Sequence, residues 1–95
     1  MTIEWSPRAL RNIRAARAYI ARDNPAAATA VTERIIQKVE TLVTFSPRIG
    51  RPGRLDGTRE LVVTRTPYVV VYSIGADKIN ILAVLHQAQD WPKDP

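Results

Sequence analysis

GRPGRLDGTRELVVTRTPYVVVYSIGADKINILAVLHQAQDWP, residues 50–92, is the stretch that decides the fold. At its centre, residues 68–74 (YVVVYSI) are almost continuously apolar and β-branched, the pattern of a strand covered on both faces or nearly so. A Thr-Pro step at 66–67 separates it from residues 59–65 (RELVVTR), which read as the preceding strand. Gly75-Ala76-Asp77-Lys78 supplies a tight turn into residues 79–86 (INILAVLH), the last strand. Outside this trio, residues 46–58 carry Ser-Pro, Arg-Pro-Gly and Asp-Gly and read as a loop. The tail from residue 87 is polar and broken by prolines.

Upstream of the loop the hydrophobic period changes from two to that of a helix. Residues 2–5 alternate polar and apolar, as a short strand does. Ser6-Pro7 is an N-cap followed by proline at the first helical position, where a missing N–H costs nothing. Leu10, Ile13, Ala16 and Ile20 then place one face of residues 7–22 inward, with Arg8, Arg11, Arg14, Arg17 and Arg22 spread over the rest. Asp23-Asn24-Pro25 repeats the cap-and-proline signal. The second helix has Ala28, Val31, Ile35, Val39 and Leu42 as its core face, with Ile36 and Val43 widening the stripe. Two capped helices with so short a link make an antiparallel hairpin.

The expected architecture is α+β: an N-terminal strand and a helical hairpin packed on a small, mainly antiparallel sheet. Strict alternation would point Ile79, Ile81, Ala83 and Leu85 one way and Leu82, Val84 and His86 the other. One of these faces meets the helices. The other is expected to be an apolar, partly exposed floor for a partner.

The composition bounds what such a domain can do. Ninety-five residues, 45% of them apolar, build one domain (1–95) with a thin two-layer core. The absence of cysteine excludes disulfides and thiolate metal sites. No run approaches the roughly 18 apolar residues of a membrane span, and no secretory segment opens the chain, so a soluble, cytoplasmic protein is expected. Fourteen basic residues, eleven of them arginine, face nine acids and give a net charge of +5. Such a surface favours acidic partners, and arginine grips carboxylates and phosphates bidentately.

GRPG, GTRELVV, PYVVVYSI and LHQAQDWP, in this order and spacing, resemble the ParE/RelE superfamily of type II toxin–antitoxin toxins, and the resemblance covers nearly the whole chain. It implies a toxin neutralised by a cognate antitoxin, as a hetero-oligomer, through an acidic, partly disordered antitoxin segment. RelE-like members cut mRNA on the ribosome; ParE-like members poison DNA gyrase by protein contact. RelE-like nucleases place lysines where this chain has Glu60 and Val62, and arginines where it has Val69 and Gln89. Metal-free RNA cleavage needs cations to stabilise the pentavalent phosphate and donors to protonate the leaving oxygen. Glu60 would repel phosphate. The ParE branch therefore fits better, with gyrase as target, DNA association only indirect through antitoxin and gyrase, and no cofactor, metal or membrane implied.

The residues expected to bind antitoxin or target are Arg48, Arg51, Arg54, Arg59 and Arg65, five arginines in an eighteen-residue span, together with His86 and Trp91. His86, the only histidine, is the best remaining candidate for acid–base work, a weak one, near Asp90 and Trp91 in sequence, with Arg65 a further candidate neighbour. The bland alternative is a histidine that bonds the backbone where the last strand leaves the sheet. Two rival functions remain open: a ribosome-dependent mRNA endonuclease using His86 and the loop arginines, and a non-toxic antitoxin-binding regulator.

Overall fold

The computed structural model describes residues 1–89. In chain order it contains β1 (Thr2–Trp5), α1 (Pro7–Ala21), α2 (Pro25–Thr44), β2 (Arg51–Pro52), β3 (Arg59–Val62), β4 (Tyr68–Ile74) and β5 (Lys78–His86). The strands form one sheet in the order β1-β5-β4-β3-β2. Only the β1–β5 pair is parallel. The α+β arrangement read from the sequence is the one observed, with the hairpin of α1 and α2 lying on one face.

Both helices begin as their cap signals require. Ser6 Oγ accepts the Ala9 N–H at 3.0 Å and Asn24 Oδ1 accepts the Ala27 N–H at 3.1 Å, each with proline next in line. The hairpin buries Ala9, Ala16, Ile35, Val39 and Leu42 against Val70, Tyr72, Ile79 and Ile81, and Ala28 of α2 is buried as well. Leu10, expected in the core, is instead exposed, as are Ile36 and Val43. On α1 the buried positions are instead the small Ala9 and Ala16. Leu10 and Ile36 are left lining a groove of about 200 Å³ with Trp5 and Ile13.

The last strand does not alternate strictly. Val71 pairs with Ala83 but Tyr72 pairs with Ile81, so Leu82 is an extra residue, a β-bulge. Beyond it the faces swap. Val84 joins Ile79 and Ile81 in the core under the helices, whereas Ala83 and Leu85 point to the opposite face beside Val71. The expected grouping of Ala83 and Leu85 with Ile79 is thereby corrected. So is the open floor: Val71, Ala83 and Leu85 are 3%, 4% and 5% exposed and form a small closed cluster with Leu82 against it. The cross-strand pairs Val71–Ala83 and Val69–Leu85 cover one another there.

A bulge leaves backbone groups without ladder partners, and α1 supplies them. Ser6 N–H donates to Ile81 O and Ser6 Oγ donates to Leu82 O, both at 2.9 Å. Asn12 Oδ1 accepts the Val84 N–H at 3.1 Å. The cap of α1 thus also closes the edge of β5 where β1 ends.

Two further boundaries differ from the expectation. Residues 51–52, read as loop, pair with β3 as an edge strand, where the proline's missing N–H is tolerated. The strand expected over 59–65 stops at Val62, because Thr66 turns the chain. Its N–H and hydroxyl both donate to Val63 O, at 3.2 and 2.9 Å, and its Oγ1 accepts the Tyr68 N–H at 3.1 Å.

Candidate functional site

Three of the loop arginines are organised around one buried carboxylate or around the backbone of the loop itself. Glu60, on β3, is 2% exposed. Its Oε1 accepts from Arg51 Nη2 at 3.0 Å and Nε at 3.3 Å. Its Oε2 accepts the Arg54 N–H at 2.8 Å, with Arg54 Nε 3.6 Å away. A carboxylate removed from water demands such partners, and two cations supply them. Arg59 works on the backbone instead: its Nη2 donates to Arg48 O at 3.0 Å and to Gly50 O. Its Nε is buried with no hydrogen-bond partner.

Tyr72 completes the clamp from β4. Its hydroxyl donates to Pro47 O at 2.7 Å and accepts the Gly50 N–H at 3.1 Å. A Cβ at position 50 would lie 2.5 Å from that hydroxyl oxygen, so only glycine fits. Residues 47–60 are therefore a fixed platform. The Arg51 and Arg54 side chains remain 53% and 52% exposed, and Arg48 is exposed beside them. The platform presents cations while using them to hold its own shape.

Arg65 does not belong to this group. It sits in the β3–β4 turn, at the end of β3 away from the loop, with a left-handed φ of 66°. There it shares a cavity with Arg34 and Lys38 of α2. The five-arginine cluster expected from sequence is thus four arginines around the loop and one at the far turn.

His86 pairs across the sheet with Tyr68, and the two rings meet edge to face, centroids 5.6 Å apart at 80°. Its Nδ1 accepts the Ala88 N–H at 3.0 Å, which leaves the proton of the neutral ring on Nε2. Its backbone is tied to Gln89, whose Oε1 accepts the His86 N–H at 2.7 Å. Burial pushes the Tyr68 phenol above its ordinary range, and nearby Tyr19 adds to the effect. Asp90 and Trp91, expected beside His86, lie outside the described residues.

Glu60, Val62, Val69 and Gln89 are the positions that the resemblance set against RelE-like cations. Glu60 is buried and ion-paired, so it does not face an approaching phosphate as an open charge, contrary to the repulsion expected. Val69 is wholly buried, Val62 is half-buried in β3, and Gln89 holds the backbone of His86.

A second surface was not singled out in the sequence. Phe45 and Ile49 are 78% and 45% exposed and follow directly on α2, near in sequence to the exposed Val43. The available signal was local: two large apolar residues inside a segment otherwise punctuated by Ser, Pro, Arg and Gly. Among the described residues no group of three His, Cys, Asp or Glu side chains could hold a metal, and no helix is long and apolar enough to cross a membrane.

The chain is thus a five-stranded sheet bearing a helical hairpin, with exposed arginines on the loop beside β2 and an apolar groove at Trp5, Leu10, Ile13 and Ile36. The family model described as the ParE toxin of type II toxin–antitoxin systems matches residues 3–91. The chain is 45% identical over 91 residues to Y4kP, a candidate toxin of Sinorhizobium fredii, covering 96% of this chain and 93% of that one. It is 33% identical over 89 residues to toxin RelE2 of Caulobacter vibrioides, covering 92% and 96%. A chromosomal ParDE system from P. aeruginosa shares the fold, with a TM-score of 0.81 at 24% identity over 90% of this chain and 95% of the other. The chain belongs to the ParE toxin family, within the ParE/RelE superfamily. It is a toxin of the type II toxin–antitoxin class, and the family implies an antitoxin partner.

Proposed function

We propose that this toxin acts in the cytoplasm by protein contact, inhibiting DNA gyrase, and that a cognate antitoxin neutralises it. The observation that carries the reading is the fate of the nuclease positions, where a buried Glu60 clasped by two arginines and a buried Val69 stand in place of phosphate-handling cations. Without those cations the chain stabilises no pentavalent phosphate there, and what it offers is surface. The exposed Arg48, Arg51 and Arg54 on a rigid loop suit an acidic partner, and so the family's contact mode. For the antitoxin, the groove lined by Trp5, Leu10, Ile13 and Ile36 accepts apolar side chains of a segment that folds on binding, in place of the closed sheet face.

The test is a supercoiling and cleavage assay with purified gyrase. Toxin should accumulate linear, gyrase-linked DNA, and excess antitoxin should reverse it; unchanged supercoiling at saturating toxin would refute the mechanism. The relative named RelE2 keeps one second reading in play, cleavage of ribosome-bound mRNA. In that case His86→Ala would abolish toxicity while leaving antitoxin binding intact.

A further inference from the structure

We infer that Arg34, Lys38 and Arg65 form a receptor for a phosphate oxyanion, separate from the arginine loop and independent of the gyrase reading. The three cations line one cavity of about 330 Å³ between α2 and the β3–β4 turn, in the size range of small-molecule sites. Gln37 lines it as well, so the wall carries a neutral amide donor beside the charged ones, while the Thr41 hydroxyl there donates to the Lys38 carbonyl. On α2 these residues stand at 34, 37, 38 and 41, the spacing that stacks side chains on one helical face.

The charge balance of this cavity is one-sided. No acid lines it, and none of the three cations is paired with a carboxylate among the described residues. The neighbouring Glu40 faces a different cavity, beside Met1 and Val43. Arg34 and Lys38 are an i,i+4 pair of like charge, an arrangement that weakens a helix unless an anion lies between them. Arg51 and Arg54 of the loop, by contrast, have their own counter-ion in Glu60.

Arg65 adds an independent sign. Its φ of 66° lies in the left-handed region, which favours glycine or asparagine. The turn thus carries a strained arginine where a smaller residue would sit more comfortably, and that arginine lines the cavity. Two planar forks and an ammonium match a di- or polyphosphate group better than a single carboxylate, which would leave most of the positive charge unanswered. The phosphate could belong to a free phosphorylated metabolite or to a nucleic-acid backbone.

Isothermal titration of the full chain with inorganic pyrophosphate at low ionic strength tests the site. One molecule should bind, and Arg34→Gln or Lys38→Gln should each weaken it about tenfold or more. Arg65→Gly should lose binding to the same extent while its unfolding midpoint stays or rises, which separates a lost ligand contact from a lost fold. Arg14→Gln with Arg17→Gln, on the exposed side of α1, should leave the affinity unchanged. A short DNA duplex that displaces pyrophosphate would assign the phosphate to a nucleic acid, and failure to displace would assign it to a free ligand. No pyrophosphate binding, or an equal loss in the α1 control, would overturn the site.

Discussion

Replacing both Arg51 and Arg54 with methionine should destabilise this protein more than replacing Glu60 with glutamine, although Glu60 is the centre of their network. The asymmetry comes from burial. Glu60 is 2% exposed, whereas the two arginine side chains are 53% and 52% exposed. When Glu60 becomes glutamine, the guanidiniums return to water and only charge-assisted hydrogen bonds are lost, a cost of about 1–2 kcal/mol. When both arginines go, the carboxylate stays desolvated with the Arg54 N–H, 2.8 Å away, as its remaining donor in this network. Stranding a buried charge costs about 3–5 kcal/mol, and the surviving N–H places this case near ~3.

Urea unfolding of the single, double and triple variants measures these differences through the midpoint at constant slope. For a chain of this size a loss of about 3 kcal/mol lowers the melting temperature by roughly 12–24 °C. The triple variant, which adds Glu60→Gln to the double, should recover part of that loss, because the stranded charge is gone. A double variant no less stable than Glu60→Gln would refute the reasoning, since it would mean that the carboxylate is not desolvated in the folded protein.

Four other outcomes are expected. Asn12→Ala, which orphans the Val84 N–H beside the bulge, should cost about 1–2 kcal/mol in urea unfolding, and Ser6→Ala, which also loses a helix cap, should cost at least as much. Alkaline stability should fall: Tyr68 is raised by burial and then by Tyr19, and Lys78 by its hydrogen bond to Glu4 and then by that residue's charge. For both groups the proton is held more tightly in the folded state, so their stabilisation is complete below about pH 10 and lost as pH rises through the folded values. Tyr68→Phe should flatten that decline in a pH series of urea midpoints. Leu10→Asp with Ile36→Asp should leave the fold intact, both residues being exposed, yet weaken antitoxin capture on a sensor surface by tenfold or more, on the order of 1.4 kcal/mol. His86→Ala should keep its growth inhibition on induction without antitoxin.

The order of elements was legible because local signals agreed with one another. Ser6-Pro7 and Asn24-Pro25 carry both cap and helix start, and YVVVYSI carries a central strand, so no tertiary contact is needed to recognise them. What escaped depends on pairing across the fold. Nothing in INILAVLH marks Leu82 as the extra residue. Ser6 and Asn12, more than seventy residues earlier, hydrogen-bond the Leu82 carbonyl and the Val84 N–H at the bulge. Once one residue slips, every later side chain changes face, so strict alternation puts Ala83, Val84 and Leu85 on the wrong side. Leu10 is hidden from sequence for a related reason, since helical spacing gives a stripe but does not say that Ala9 and Ala16, and not Leu10, are its buried members.

The candidate site was legible only as composition. Five arginines in a short span say that positive charge is present, and sequence alone cannot say which of them face a counter-ion. The structure divides them by what they meet. Arg51 and Arg54 share the buried Glu60, Arg59 holds the carbonyls of residues 48 and 50, and Arg65 leaves the group for a cavity shared with Arg34 and Lys38. Substituting an arginine in this chain therefore has different consequences by position. At 51, 54 or 59 a loss of toxicity is first a loss of loop shape, and an unfolding curve must accompany it. At 48, 34, 38 and 65, with no carboxylate partner of their own among the described residues, a loss of function at unchanged stability reports a missing contact with something outside the chain.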